Sequence, residues 1–99
     1  PTPNVSLVDL SYIPNRSVSV EEIDAALKSA SEGRMNGILN FENEPKVSID
    51  YNHTTTSSNY AQPQTTVTKG GLVRVVSWYD NEWGFSNRMI DTAKVMANL

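Results

Sequence analysis

The chain has 99 residues, 38% of them hydrophobic, and eleven acidic against eight basic residues leave a net charge of −3. That is enough for one domain, burying roughly 60–65% of the surface of its unfolded chain, and too little for two. No apolar run approaches the ~20 residues that cross a bilayer, no basic segment leads into an apolar N-terminal core, and no basic stripe is present to neutralise a phosphate backbone, so the expectation is a soluble domain with neither membrane nor nucleic acid as partner.

Residues 5–12 (VSLVDLSY) place Val5 and Leu7 on one face and Val8, Leu10 and Tyr12 on the other, the pattern of a strand covered on much of both sides. Pro14-Asn15-Arg16 ends it. Ser19 followed by Glu22 has capping-box spacing, in which each side chain satisfies the other residue's free N–H. A helix is predicted over 20–32, with Val20, Ile23, Ala26, Leu27 and Ala30 on its apolar face, acids near its start, and Gly33 as a left-handed stop. Residues 37–41 are a short apolar run, and Val47, Ile49 and Tyr51 alternate with Ser48 and Asp50 after the Glu44-Pro45 break; both read as strands. Residues 54–58 (TTTSS) read as a loop leading into a further strand or irregular segment through Tyr60, followed by a weakly patterned stretch at 65–68. Lys69-Gly70-Gly71 is a turn. Residues 72–79 (LVRVVSWY) are the strongest strand and are expected at the sheet centre. Ser86 is the expected N-cap of a C-terminal helix over 87–98, with Phe85 and Ile90 as a hydrophobic staple and Met89, Ile90, Ala93, Met96 and Ala97 as its apolar face. Strand, helix, several strands, helix is not a regular alternation. The expected class is α+β: a mixed, largely antiparallel sheet with a helix on one face and a C-terminal helix.

Chemistry-bearing groups are sparse. Cysteine is absent, which removes disulfides, thiolate metal sites and thiol nucleophiles from the chain. His53 is the sole histidine, so no metal ligand set is expected, and a polar residue at a strand end is its bland reading. A hydrolytic reading of residues 54–58 needs a base and an oxyanion site that the pattern does not supply. Glu42 with Glu44, and Asp80 with Glu82, are carboxylates two apart; acid–base pairs use such residues, but in turn-rich loops they more often serve as solvated charges or caps. The glycines match neither dinucleotide nor phosphate-loop spacing. Residues 77–88 (SWYDNEWGFSNR) differ in kind, being dense in aromatics, amides and charges between the best strand and a helix. Two readings stay open there: a ligand-facing corner, or an aromatic packing corner in which Trp78, Tyr79 and Trp83 pack and Asn81 caps a turn.

SWYDNEWGFSNR closely resembles the segment near the C-terminus of phosphorylating glyceraldehyde-3-phosphate dehydrogenases, and residues 1–10 (PTPNVSLVDL) resemble the strand that follows that family's inorganic-phosphate site. SASEG at 29–33, GIL at 37–39 and VSIDYNH at 47–53 fall between them in the family's order, so the resemblance covers essentially the whole chain. It implies the C-terminal part of the catalytic domain, residues 1–99 including the helix 87–98. The nucleotide-binding domain, nucleophilic cysteine, histidine base, substrate threonines and a phosphate-holding arginine would all lie before Pro1. In the parent enzyme, as the family implies, a thiolate attacks the aldehyde, hydride passes to NAD, and phosphate releases the acyl group. By this resemblance the chain holds no catalytic residue and one cofactor-binding residue, Asn81, which matches the asparagine whose amide hydrogen-bonds the nicotinamide carboxamide. An amide offers both a donor and an acceptor for that task. Phe85 stands where many relatives have tyrosine beside the ring, keeping the aromatic body without the hydroxyl. The further implications are a phosphorylated aldehyde as substrate, NAD as cofactor, the chain's own nucleotide-binding domain as partner, a homotetramer, and the cytoplasm. Erythrose-4-phosphate dehydrogenase is the close alternative, since the sugar pocket lies outside these residues, and a non-catalytic assembly module is the alternative of another class.

Overall fold

The computed structural model describes residues 2–99; Pro1, the first residue of the PTPNVSLVDL motif, lies outside them. The elements run β1 (Ser6–Tyr12), α1 (Val20–Glu32), β2 (Leu39–Glu42), a 3-10 turn (Ser48–Tyr51), β3 (Ser58–Ala61), a second 3-10 turn (Gln62–Gln64), β4 (Thr66–Val67), β5 (Val73–Tyr79) and α2 (Asn81–Ala97). The strands make one sheet in the order β1-β5-β3-β2, with β4 also pairing to β5. Only β2 and β3 are parallel; β5 pairs antiparallel with β1, β3 and β4. The expected α+β class with a mixed, largely antiparallel sheet is the class observed. β5 is central, as its apolar residues on both faces require, and Val73 and Val76 are buried.

Alternation along the strands divides the sheet into two faces. Val8, Leu10, Val75, Ser77, Ser58, Tyr60 and Leu39 share one face by register, and α1 lies over it. The helix forms where its sequence directs. The Ser19–Glu22 capping box closes in both directions, and Ile23 is its buried anchor. From α1, Asp24 accepts hydrogen bonds from the Tyr60 hydroxyl at 2.7 Å and from Gln62 Nε2 at 2.9 Å, and the Tyr60 hydroxyl also pairs with the buried Thr65. Burial pushes the Tyr60 phenol well above its usual pKa, so its proton remains available to Asp24. The opposite face carries Trp78, Asn59 and Glu42; there Tyr51, delivered by the first 3-10 turn, stacks on Trp78 with ring centroids 6.0 Å apart.

Four expectations need correction. Residues 47–51 are not a strand: the Asp50 carboxylate accepts the Val47 N–H at 2.9 Å and the Val47 carbonyl accepts from Asp50 N–H at 2.8 Å, so a local turn satisfies backbone groups that a ladder would have used. Tyr51 alone of that apolar trio is buried. Gly33 ends α1 without entering the left-handed region, at φ −108°; a Cβ there would stand 3.1 Å from the Ser29 carbonyl oxygen, so lack of space rather than handedness favours glycine. β1 is an edge strand: Val8 and Leu10 are exposed because α1 reaches only one side of the groove beside β1, and Leu7 is exposed on the opposite face, which carries no helix over β1.

The fourth correction concerns the last helix, which spans Asn81–Ala97 rather than 87–98. Ser86 lies inside it, its hydroxyl donating to the Glu82 carbonyl at 2.8 Å, and Phe85 and Ile90 are both helical and exposed, so they form no staple. Gly84, which resembles a helix stop in sequence, is buried in the first turns: a Cβ would meet the Thr56 carbonyl oxygen at 3.0 Å. Glycine at this point lets the helix lie against the 56–57 backbone. Arg88 adds a tether, donating to Ser57 Oγ at 3.2 Å and the Gly37 carbonyl at 3.4 Å. Beyond it α2 projects. The radius of gyration is 15.0 Å, against about 13 Å for a compact domain of this size.

Tyr60→Phe removes the one hydroxyl that joins α1, β3 and Thr65, and is expected to lower stability by about 1–3 kcal/mol. A urea titration should show a lower midpoint at unchanged slope; an unchanged midpoint would mean this cluster contributes nothing.

Candidate functional site

β5 passes into α2 through a single residue, Asp80, which is 1% exposed. Its carboxylate is the N-cap of α2: Oδ1 accepts the Trp83 N–H at 3.0 Å. Oδ2 accepts two more donors from distant segments, Asn4 Nδ2 at 2.9 Å and the His53 N–H at 2.8 Å. Asn4 uses its second amide hydrogen on Asn52 Oδ1 at 2.7 Å. Burial alone would raise the Asp80 pKa, but the Trp83 and His53 N–H groups and the Asn4 amide outweigh it and hold the carboxyl below its ordinary 3.8. The His53 ring stacks on Trp83 at 4.2 Å, so the 52–53 segment is fastened to the first turn of α2 by backbone and side chain together.

Asn81 is the first residue of α2 and is exposed. Its carboxamide makes no hydrogen bond to another described residue, which leaves a donor and an acceptor facing solvent two residues past the end of the central strand. Phe85, four residues on, shares that face of the helix and is exposed. The capping role offered to Asn81 by the packing reading belongs to Asp80. The aromatics of the segment do pack in part, Trp78 on Tyr51 and Trp83 on His53.

The remaining candidates take structural roles. Glu42 is buried and ion-paired with Lys46 at 2.8 Å; desolvation would raise its pKa, yet Lys46 and the Glu44 N–H hold it below the usual range, so it is a fixed anion and not a shared-proton partner of Glu44. Asp80 is buried and Glu82 is exposed, so these two carboxylates do not share an environment. The hydroxyls of Thr54 and Thr56 are engaged by the Tyr51 carbonyl and by Asn59 Oδ1, both at 2.8 Å, and His53 turns its ring to Trp83. Among the described residues no three His, Cys, Asp or Glu side chains converge on one point, and no helix is long and apolar enough to cross a membrane.

The Asp80 cap escaped the sequence reading, although a signal existed. Aspartate is a preferred N-cap, and Glu82 behind it suits a first turn. Gly84 concealed the helix start by looking like a breaker.

The family model described as glyceraldehyde 3-phosphate dehydrogenase, C-terminal domain, matches residues 1–81. The chain belongs to this family. It is 54% identical over 99 residues to glyceraldehyde-3-phosphate dehydrogenase of Xanthobacter flavus, covering 100% of the chain and 30% of that relative. It is likewise 54% identical to the enzyme of Cereibacter sphaeroides, with the same coverage, and 53% identical over 97 residues to glyceraldehyde-3-phosphate dehydrogenase 1 of Bacillus subtilis, covering 98% and 29%. The chain therefore spans about 30% of the length of these curated relatives. The resemblance of the SWYDNEWGFSNR and PTPNVSLVDL motifs is thus a family relationship, and the family match ends at Asn81 itself.

A depressed carboxylate pKa in the folded chain stabilises it above the unfolded value, and that contribution is lost as pH falls through the folded one. For Asp80 the contribution is complete above about pH 5, begins to fall near 3.8 and is lost as pH drops through the lower folded value. Asp80→Asn should cost about 1–3 kcal/mol at neutral pH, and its stability gap from the parent chain should close on acidification. Urea titrations from pH 7 down to pH 2 check this; a gap that does not narrow below pH 3.8 would mean that the charge on Asp80 is not what stabilises the corner.

Proposed function

We propose that this chain is the C-terminal part of the catalytic domain of a phosphorylating glyceraldehyde-3-phosphate dehydrogenase, and that its direct contribution to the reaction is one cofactor contact through Asn81. The observation that carries the reading is the exposed, unpartnered carboxamide of Asn81 at the junction of the central strand and α2. That group fits a nicotinamide carboxamide, because each amide matches the other's donor and acceptor. In this reading NAD accepts the hydride from the substrate. Asn81 holds the ring so that one face meets the reacting carbon, an effect of orientation rather than of bond making. Phe85 lies on the same side of the helix and supplies aromatic surface beside the ring.

The whole enzyme then converts glyceraldehyde 3-phosphate to 1,3-bisphosphoglycerate in cytoplasmic glycolysis as an NAD-dependent homotetramer. The relatives' shared name supports the glyceraldehyde-3-phosphate dehydrogenase activity; the cofactor, the tetramer, the pathway and the compartment are what the family resemblance implies. The 99 residues alone are inactive in this reading, since the nucleophile is a cysteine and the chain has none. The exposed apolar stripe of α2, with Phe85, Met89 and Met96, is then the surface that meets the chain's own nucleotide-binding domain. The same stripe favours a second reading, a non-catalytic assembly module.

In the complete polypeptide, Asn81→Ala should lower kcat/KM for NAD by about tenfold, the equivalent of one lost hydrogen bond of roughly 1.4 kcal/mol. Steady-state kinetics with varied NAD measure it, and parental values would remove Asn81 from the cofactor site. Sedimentation of the 99-residue chain separates the second reading: a monomer at high concentration argues against assembly as its purpose.

A further inference from the structure

The corner beneath Asn81 is built more heavily than a helix start requires. An N-cap needs one acceptor for one N–H, yet the Asp80 carboxylate gathers three donors from three segments: Trp83 in α2, His53 in the loop after the 3-10 turn, and Asn4 ahead of β1. Asn4 lies 76 residues from Asp80 in sequence and His53 lies 27 away. Loop closure of that length needs a return in free energy before it persists.

Backbone strain gathers at the same place. The positive-φ residues other than glycine are Val5 at 75°, Ser48 at 22° and His53 at 62° among the described residues. Val5 follows Asn4 and is buried, the Ser48 hydroxyl reaches the Asn4 carbonyl at 3.5 Å, and His53 donates to Asp80. A β-branched residue in the left-handed region is a genuine outlier, and such strained conformations persist only where their surroundings over-determine them. His53 bonds the Asp80 carboxylate directly, and Val5 and Ser48 adjoin Asn4, which bonds it in turn.

We propose that Asp80 is a positioning residue for Asn81: by tying Asn4 and His53 to the first turn of α2, its carboxylate fixes the direction in which the neighbouring carboxamide leaves the protein. The inference rests on Asn81 being the cofactor contact. With no loop residue between β5 and α2 except Asp80 itself, the φ −86° and ψ 102° of that residue set where α2 begins. Releasing Oδ2 from Asn4 and His53 leaves the cap in place and frees the corner to pivot. Stability and cofactor discrimination are therefore separable consequences.

The test uses the complete polypeptide and two dinucleotides, NAD and an analogue with hydrogen in place of the ring carboxamide, with dissociation constants from calorimetry alongside turnover. The parent is expected to prefer NAD by about tenfold through this contact. Asn81→Ala should abolish that preference. Asp80→Asn should reduce it nearly as far, and the Asp80→Asn/Asn81→Ala double variant should lose no more than Asn81→Ala alone, the non-additivity of residues acting through one another. Asn4→Ala leaves the Trp83 cap and the His53 bond intact; it should reduce the preference about threefold, and it decides the matter if Asp80→Asn does not fold. If Asp80→Asn and Asn4→Ala weaken both dinucleotides equally, or melt earlier with the preference intact, Asp80 is structural and the proposal is overturned. If Asn81→Ala itself leaves the preference unchanged, the cofactor reading has failed, an outcome distinct from Asp80 failing to position a working Asn81.

Discussion

One buried carboxylate organises the junction of β5 and α2. A charged group taken out of water must be matched by donors, or the folded state loses what burial gained. Asp80 is matched three times: Trp83 is the local capping partner, whereas Asn4 and His53 come from segments that no local rule of sequence would bring to it. Because the carboxylate also caps α2, the condition for burying it is the condition for starting the helix where it starts. The position of Asn81 follows from that start, two residues beyond a central strand held by neighbours on both sides.

The rest of the molecule is asymmetric around that corner. α1 covers the centre of one sheet face and Tyr51 covers part of the other, but β1 keeps Leu7, Val8 and Leu10 in water, and α2 buries little beyond Gly84. The buried apolar set is short: Val5, Ile23, Leu39, Tyr51, Tyr60, Ala61, Val73 and Val76. Polar clusters do much of the joining between elements instead, through Asp24 with Tyr60 and Gln62, through Arg88 with Ser57 and Gly37, and through Asp80. Directional bonds of this kind specify geometry more than they add stability, since each replaces a bond to water. An architecture so joined suits a proposed role in which the chain presents one side chain accurately and does no bond making.

Glycine illustrates how much the surroundings decide. Gly84 and Gly33 both look like helix punctuation. Gly33 does end a helix, though by close approach to the Ser29 carbonyl, whereas Gly84 sits inside one because α2 must lie against the Thr56 backbone. The same residue type marks a stop in one place and a contact in the other, and the difference lies in atoms brought from elsewhere in the chain.

Local sequence alone determined the elements whose determinants are local. The Ser19–Glu22 box and the spacing of Val20, Ile23 and Leu27 made α1 legible over its full length, and the doubly apolar 72–79 run marked the central strand, because capping and periodicity act within a few residues. The motif around Asn81 carried the family, and the family carried the cofactor reading. Only the tertiary structure decided that residues 47–51 turn instead of extending, that β1 stands at an open edge, that α2 begins six residues before the expected 87, and that Asp80 is the buried tie beneath Asn81. The place of β1 and the tie at Asp80 depend on partners tens of residues away, where sequence pattern has no reach and three-dimensional satisfaction of polar groups takes over; the 47–51 turn and the start of α2 rest on short-range caps, Asp50 on Val47 and Asp80 on Trp83, that the alternating pattern and Gly84 obscured.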